Sequence, residues 1–294
     1  MNSNIENNYE EAFKLLANSD VPKNWYKDEE TKTIGLIWHF TDINNMANIL
    51  SFMKIESKNF AKQNNLVKND NASKKVNNEL TKAWVHDYAR FYLHPKTPTQ
   101  YRNEGIFEKN IDNKNLNLRL LNNNELWMTR PAHLPVPIFI CFSLKNFLNE
   151  GGYVTTRSLA GGAVSNDVSK MLDKNLKKFK NNIFKIYNDK NSKNYEKQTE
   201  FIIKKSLDFE PGDIIKIVVR SNAEKLALLT MLEEHNAQYF SNKEQHQKID
   251  ISKYIDKIVV DSSIFFNDAG KLIMLKGHPR GNNILSKNIN EHKS

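Results

Sequence analysis

The amino-acid sequence predicts an α+β protein, because segments typical of strands and of helices both occur without regular alternation. Apolar runs rich in β-formers cover residues 34–40, 136–142 and 214–219. Residues 223–235 instead repeat apolar side chains at helical spacing. The 294 residues suit one large domain or two small ones.

The N-terminal region is predicted to contain two helices around the first strand. Apolar residues recur at helical spacing over residues 5–18. After the strand at 34–40, Asp42 can cap a second helix over residues 43–53. This order places one helix before the strand and one directly after it.

The middle of the chain gives weaker signals. Residues 58–82 are polar and rich in Asn and Lys, which favours a mobile segment or a poorly packed helix. Residues 83–101 are aromatic, but their prolines argue against a long regular helix, so we interpret them as loop-like. Residues 170–187 are predicted to form a basic helix, and short strands are expected at 201–203 and 258–260.

Composition limits the classes of function. The net charge of +9 favours a polyanionic partner such as nucleic acid, although a lysine-rich solvated surface explains it equally well. The one cysteine, Cys141, lies in an apolar run, so neither a disulfide framework nor a cysteine zinc site fits within the chain. A polar N-terminus and the lack of a long apolar run predict a cytoplasmic protein.

Several common catalytic motifs do not occur. The sequence has no Walker loop, no G-x-G-x-x-G, no H-E-x-x-H and no G-x-S-x-G. Its 8 histidines are scattered without the spacing of a ligand pair. We therefore expect no metal cofactor.

Three other segments carry candidate chemistry. Residues 38–46 place His39 at a strand end, although a lone histidine there is more often structural. Residues 85–101 combine more aromatic and polar side chains than core filling needs. In residues 198–203, Glu200 enters an apolar strand, where an inward carboxylate is costly unless it is paired or used. An outward glutamate at a strand edge is the alternative.

In order and content, these segments resemble the DarT family of DNA ADP-ribosyltransferases. The matching features are the strand-end histidine followed by Thr, the His-Asp-Tyr…Phe-Tyr…Pro…Pro…Tyr signature over 85–101, and the Gln-x-Glu strand start at 198–200. The segments between them match poorly. The run 97–105 is similar to a branch of the family other than the one best known for modifying thymidine.

The resemblance implies an ADP-ribosyltransferase fold, with two small facing sheets and NAD as co-substrate in the cleft between them. His39 would anchor either the adenine-side ribose or the nicotinamide end of NAD. Thr41 and Asn45 would line the same pocket. Aromatic residues would stack on nicotinamide or shape its pocket, with packing beneath the cleft as the alternative: Tyr88, Phe91 and Tyr92.

The resemblance also makes Glu200 the catalytic carboxylate. Breaking the nicotinamide–ribose bond builds positive charge on the ribose, and a fixed anion stabilises that charge. A carboxylate can also take the proton from the attacking base. The residue type therefore fits both needs.

One departure from the family pattern concerns an arginine that the family carries upstream of the aromatic signature. Residues 71–82 contain no arginine. Lys74 or Lys75 could substitute, and we name Lys75 as the catalytic candidate, although lysine lacks the planar fork of arginine. Arg90 or Arg157 could instead be recruited from elsewhere.

The acceptor implied by the resemblance is a base in single-stranded DNA, where bases are unstacked and reachable. Candidate DNA-binding residues are Arg157, between two Gly-Gly pairs, and Lys177 and Lys178 in the basic helix. A solvated face is the alternative for the lysines.

By the same resemblance, the protein would act as a toxin or antiphage effector held in check by an antitoxin protein. RNA as the acceptor, or a non-catalytic nucleic-acid-binding module on this fold, are the alternatives. We predict an N-terminal helical extension over 1–32, a catalytic domain over 33–285 and a polar tail over 286–294.

Overall fold

A computed structural model describes residues 3–64, 66, 81–104, 136–160, 164–187, 198–241 and 248–266. Within these residues the fold contains eight α-helices, ten strands and several short 3-10 helices. The helices α1 to α8 are, in order, Ser3–Leu16, Lys23–Tyr26, Ile43–Phe52, Lys58–Gln63, Pro98–Asn103, Leu144–Phe147, Lys177–Tyr187 and Asn222–Ser241. The strands β1 to β10 are, in order, Leu36–Asp42, Lys54–Glu56, Tyr88–Tyr92, Pro137–Ser143, Tyr153–Thr155, Leu172–Asp173, Glu200–Lys204, Ser206–Asp208, Ile214–Val219 and Ile258–Val260.

Eight of the strands form one sheet that consists of two halves. The strand order is β10-β9-β4-β1-β3-β7-β5-β6, while β2 and β8 form a separate antiparallel ribbon. β1 pairs with β4 along its whole length, and β3 pairs likewise with β7. Between β1 and β3, however, only Trp38 and Tyr92 are paired. Within the described strands, the two halves are therefore joined through this one residue pair.

Strand register assigns the side chains near this junction to the two faces of the sheet. Trp38 lies opposite Tyr92, and Tyr92 lies opposite Glu200, so these three share one face. Phe91 and Phe201 form the next pair and therefore lie on the other face. Glu200, at the start of β7, therefore lies on the opposite side of the sheet from the main core.

The helices pack mainly on the face that carries Phe91 and Phe201. Buried side chains of α1 and α7, including Phe13 and Phe179, belong to the same apolar cluster as these two residues. The rings of Phe13 and Phe179 are 5.4 Å apart. The N-terminal helix is therefore part of the main core, while the predicted boundary at residue 32 stays a prediction.

Two elements differ from the sequence prediction. The stretch 83–101 was predicted to be loop-like, which is wrong for its centre, because β3 spans Tyr88–Tyr92. Buried and half-buried residues alternate along β3, as a strand requires, and the prolines follow it. The helix predicted over 170–187 begins only at Lys177, because Asp173 accepts the backbone N–H groups of Lys178 and Phe179 and so fixes the helix start.

Other predictions are confirmed. β9 and β10 occupy the predicted strand residues. Asp42 caps α3 by accepting the backbone N–H of Asn44 at 3.0 Å. The helix predicted over 223–235 is present and extends further, to Ser241. Local signals such as caps and β-rich runs were sufficient for these elements.

Candidate active site

Glu200 lies at the start of β7 and is 1% exposed. Its Oε1 accepts hydrogen bonds from Arg90 Nη2 at 2.7 Å and from the backbone N–H of Leu159 at 3.2 Å, and its Oε2 accepts from Arg90 Nε at 2.5 Å. The Glu200 backbone N–H donates to Thr155 Oγ1 at 2.9 Å. The carboxylate is therefore inward and paired, which excludes the alternative of an outward glutamate.

Arg90 supplies the charge that balances Glu200. It lies on β3, and its side chain is 30% exposed, whereas that of Glu200 is 2% exposed. Burial lowers the pKa of the Arg90 guanidinium, but the charge and hydrogen bonds of Glu200 raise it above the ordinary value of arginine. The guanidinium thus stays protonated and offers a partly open edge beside a buried carboxylate.

Tyr92 is the cross-strand neighbour of Glu200. Burial raises the pKa of the Tyr92 phenol, and the Glu200 charge raises it further, so the phenol is neutral at physiological pH. Arg90 and the hydroxyls of Thr97 and Thr99 oppose this shift. Thr99 Oγ1 donates to Gln198 Oε1 at 3.1 Å, which ties α5 to the segment entering β7. Tyr92 thus lies beside the carboxylate and near these polar groups.

Apolar clusters flank this polar group on the same face of the sheet. One cluster contains Trp38 and Phe139, with Tyr92 packed against it. The other contains Leu159 and Ile202, with partly buried aromatic side chains at its edge. The charged pair between them sits in surroundings of low polarity, where electrostatic interactions are strengthened.

His39 is on β1, next to β3, but its side chain lies on the face of the sheet opposite to Glu200. Its ring packs against that of Phe91, with centroids 5.6 Å apart. Its Nδ1 is 3.1 Å from the backbone carbonyl oxygen of Arg90. Because a carbonyl only accepts, Nδ1 carries the proton and Nε2 is the acceptor of the neutral ring. Arg90 therefore links both predicted residues, through its carbonyl to His39 and through its guanidinium to Glu200.

Burial lowers the pKa of His39 to about 4, with the Arg90 carbonyl opposing the shift. The folded chain therefore binds fewer protons than the unfolded chain as pH falls from 6.5 towards 4, and folding stability decreases across that window. We expect His39→Asn, which keeps a donor at the Nδ1 position, to be less sensitive to acid. Unfolding midpoints of both proteins across this window measure the difference, and parallel curves would contradict the assignment.

The remaining predicted NAD-site residues lie on β1, α3 and β3. Thr41 is buried near the end of β1, and Asn45 is half-buried in the first turn of α3. Tyr88 is half-buried on the Glu200 face, edge-on to Trp84 at 5.8 Å. Phe91 is 1% exposed within the aromatic core, so its observed contact with the site is through the His39 ring.

The predicted basic residues occupy different places. Arg157 belongs to the segment 155–159 that surrounds Glu200, and its carbonyl accepts from Thr155 Oγ1 at 2.7 Å. Lys177 and Lys178 are exposed at the start of α7, which packs on the face away from the Glu200 carboxylate. Lys75 lies outside the described residues.

Sequence reasoning missed the residues that hold Glu200 from β5 and the following segment. Thr155 and the Leu159 backbone reach Glu200 across 45 and 41 residues of sequence, respectively. Gly152 permits the close approach of β5, because an added Cβ there would lie 2.2 Å from the Phe201 ring. The glycine pair at residues 151–152 was the only signal in the sequence, and it does not indicate that the following segment contacts Glu200.

Comparison with known proteins decides the family. The sequence model of DarT, described as ssDNA thymidine ADP-ribosyltransferase, matches residues 38–254, which is most of the chain. The chain belongs to the DarT family. This membership confirms the predicted enzyme class, ADP-ribose transfer to single-stranded DNA, and with it NAD as the co-substrate that donates ADP-ribose.

Solved DarT structures are similar to the chain. The DarT of Thermus sp. 2.9 in complex with ADP-ribosylated ssDNA is 16% identical over 82% of this chain and 99% of that one, with a TM-score of 0.50, which supports the fold. The same protein in complex with NAD+ is 15% identical over 82% and 100%, with a TM-score of 0.44. Thermosipho africanus DarTG in complex with ADP-ribose is 12% identical over 79% and 51%, with a TM-score of 0.45. No curated protein matches significantly.

Two further observations concern metals and membranes. Within the part of the chain that is described, no three His, Cys, Asp or Glu side chains are grouped so that they could hold a metal ion. None of the helices in the described ranges combines the length and apolar character needed to cross a membrane.

Proposed function

We propose that this DarT-family chain transfers ADP-ribose from NAD to a base of single-stranded DNA with Glu200 as the catalytic carboxylate. The observation that carries the proposal is the inward, hydrogen-bonded Glu200 between two apolar clusters. A charge fixed in this way needs little reorganisation when positive charge develops on the ribose. The same carboxylate can accept the proton of the attacking base.

The NAD-binding role of His39 rests on its tautomer. Because His39 Nδ1 donates to the Arg90 carbonyl, Nε2 can accept a hydrogen bond from a ribose hydroxyl of NAD. Thr41 lies two residues after His39 on the same strand and Asn45 lies in the following helix, which supports a shared pocket. The position of half-buried Tyr92 opposite Glu200 supports a role in shaping the nicotinamide end of the pocket.

The DNA strand is proposed to enter over the segment that contains Arg157. This segment contributes the Leu159 N–H to Glu200, so a base reaching the carboxylate passes close to it. Lys177 and Lys178 remain predictions for more distant phosphate contacts. Phosphate contacts position the strand and make binding sensitive to salt.

Replacing Arg157 by Gln is expected to raise KM for single-stranded DNA about tenfold and to reduce the salt slope by about one, with KM for NAD unchanged. Lys253→Gln, which removes one exposed basic charge with no assigned DNA contact, is the matched control for the loss of basic charge. Initial rates at several salt concentrations measure both effects. An equal loss in the control and in Arg157→Gln would contradict a specific role of the 155–159 segment.

The predicted toxin role follows from the chemistry, because a bulky charged adduct on a template base obstructs copying of the strand. We therefore infer that a cell expressing the chain needs an antitoxin protein that blocks the enzyme or removes the adduct. Induced expression should arrest growth, and Glu200→Gln should not. Normal growth with adducts present in the DNA would argue against this role.

The deciding experiment for the activity uses labelled NAD and oligonucleotides that differ at one base in a fixed sequence. The family description names thymidine, while the run 97–105 resembles another branch, so all four bases are compared. RNA of matched sequence tests the alternative acceptor. Labelling of one DNA base by the wild-type protein and not by Glu200→Gln is expected. Absence of label on every oligonucleotide would refute the proposed function.

A further inference from the structure

Arg90 contacts the proposed catalytic carboxylate, and no role in the reaction has been assigned to it beyond its possible substitution for the missing upstream arginine. Its Nε and Nη2 bind the two different oxygens of Glu200, at 2.5 and 2.7 Å. We propose that Arg90 is the positioning residue of Glu200 and supplies the guanidinium that residues 71–82 lack. The inference rests on the proposed function, because it acts through Glu200.

The fork geometry fixes the carboxylate in a way that a single donor cannot. Two parallel hydrogen bonds set the plane of the carboxylate, and the Leu159 N–H adds a third bond to Oε1. Lysine would offer a compact charge without this fork. The plane of Glu200 is thereby defined before any substrate arrives.

The backbone of Arg90 is itself well anchored. Arg90 lies opposite Ile202 in the β3–β7 register, two residues from the pair formed by Tyr92 and Glu200. Its carbonyl accepts the Nδ1–H of His39. Because the Arg90 backbone is held by β7 and by His39 of β1, its side chain can orient the Glu200 carboxylate precisely.

The Arg90 charge has two opposing effects on the reaction. It reduces the negative field that stabilises a cationic ribose, but its two hydrogen bonds hold the buried Glu200 carboxylate in one orientation. A buried carboxylate without a partner is costly. We infer that orientation outweighs the reduced field, so removal of Arg90 lowers the rate.

The test compares Arg90→Ala and Arg90→Lys with wild type, using NAD and a DNA oligonucleotide. We expect kcat to fall about 100-fold in Arg90→Ala and less in Arg90→Lys, with KM for NAD within about threefold of wild type. Lys204→Ala, which removes an exposed charge from β7, is the control that should retain activity. Thermal unfolding verifies that each variant is folded. If Arg90→Ala does not fold, the activity of Arg90→Lys decides the test.

Methylguanidinium rescue separates positioning from structural support. Added methylguanidinium should restore kcat at least fivefold in Arg90→Ala and have no effect on Glu200→Gln. Full or increased activity of folded Arg90→Ala, or its loss without rescue, would overturn the inference. If Glu200→Gln retains wild-type activity, the proposed function fails; if only the Arg90 variants behave contrary to expectation, this inference alone fails.

Discussion

Replacing Glu200 by Gln is expected to lower kcat for ADP-ribose transfer by about 1,000-fold or more. The amide keeps the shape of the side chain and an oxygen that can accept from Arg90 and the Leu159 N–H. It lacks the negative charge that stabilises the developing ribose cation, and it cannot take a proton from the base. The effect should therefore appear in kcat far more than in KM for NAD.

The measurement is the initial rate of label transfer from NAD to a DNA oligonucleotide. Glu234→Gln, which neutralises an exposed carboxylate on α8, is the matched control and should retain full activity. Circular dichroism and thermal unfolding verify that Glu200→Gln is folded. Activity within about threefold of wild type in the folded variant would show that Glu200 does not carry the reaction.

The largest expected effect on stability concerns a buried ion pair at the end of β9. The side chains of Arg220 and Glu224 are both 0% exposed. Glu224 Oε1 accepts from Arg220 Nε at 2.8 Å, and Oε2 accepts the Arg220 backbone N–H at 2.9 Å. The guanidinium also lies over the Phe265 ring, 5.8 Å from its centroid. Removing one charge leaves the other buried.

We expect Glu224→Gln to lower the free energy of unfolding by about 3–5 kcal/mol. Glu233→Gln, on the exposed face of α8, serves as the control and should change it by less than about 0.5 kcal/mol. Urea unfolding curves give both values.

A second substitution tests the cause of that loss. The double variant Arg220→Met/Glu224→Gln also removes the guanidinium that Glu224→Gln leaves unpaired. The Gln oxygen can still accept a hydrogen bond from the backbone N–H of residue 220. This double variant should be more stable than Glu224→Gln alone. If it is less stable, an uncompensated charge is not the reason for the loss.

Much of the fold was predictable where the signal was local. The Asp42 cap, the β9 and β10 runs and the α8 periodicity each depend on neighbouring residues, and the structure places all of them as expected. The β3 strand was missed because Pro95 and Pro98 were given weight over a short alternating pattern that precedes them. The late start of α7 was missed because the Asp173 cap lies within a lysine-rich stretch.

The sequence by itself determined the DarT-family motifs, the α+β class and the placement of Glu200 at the start of an apolar strand. Those features depend on residue type and short spacing. Only the tertiary structure decided that Arg90, 110 residues away, forms an ion pair with Glu200, and that His39 donates a hydrogen bond to the Arg90 carbonyl. Both contacts are set by the pairing of distant strands, and strand register is fixed by burial of whole faces of the sheet rather than by local sequence.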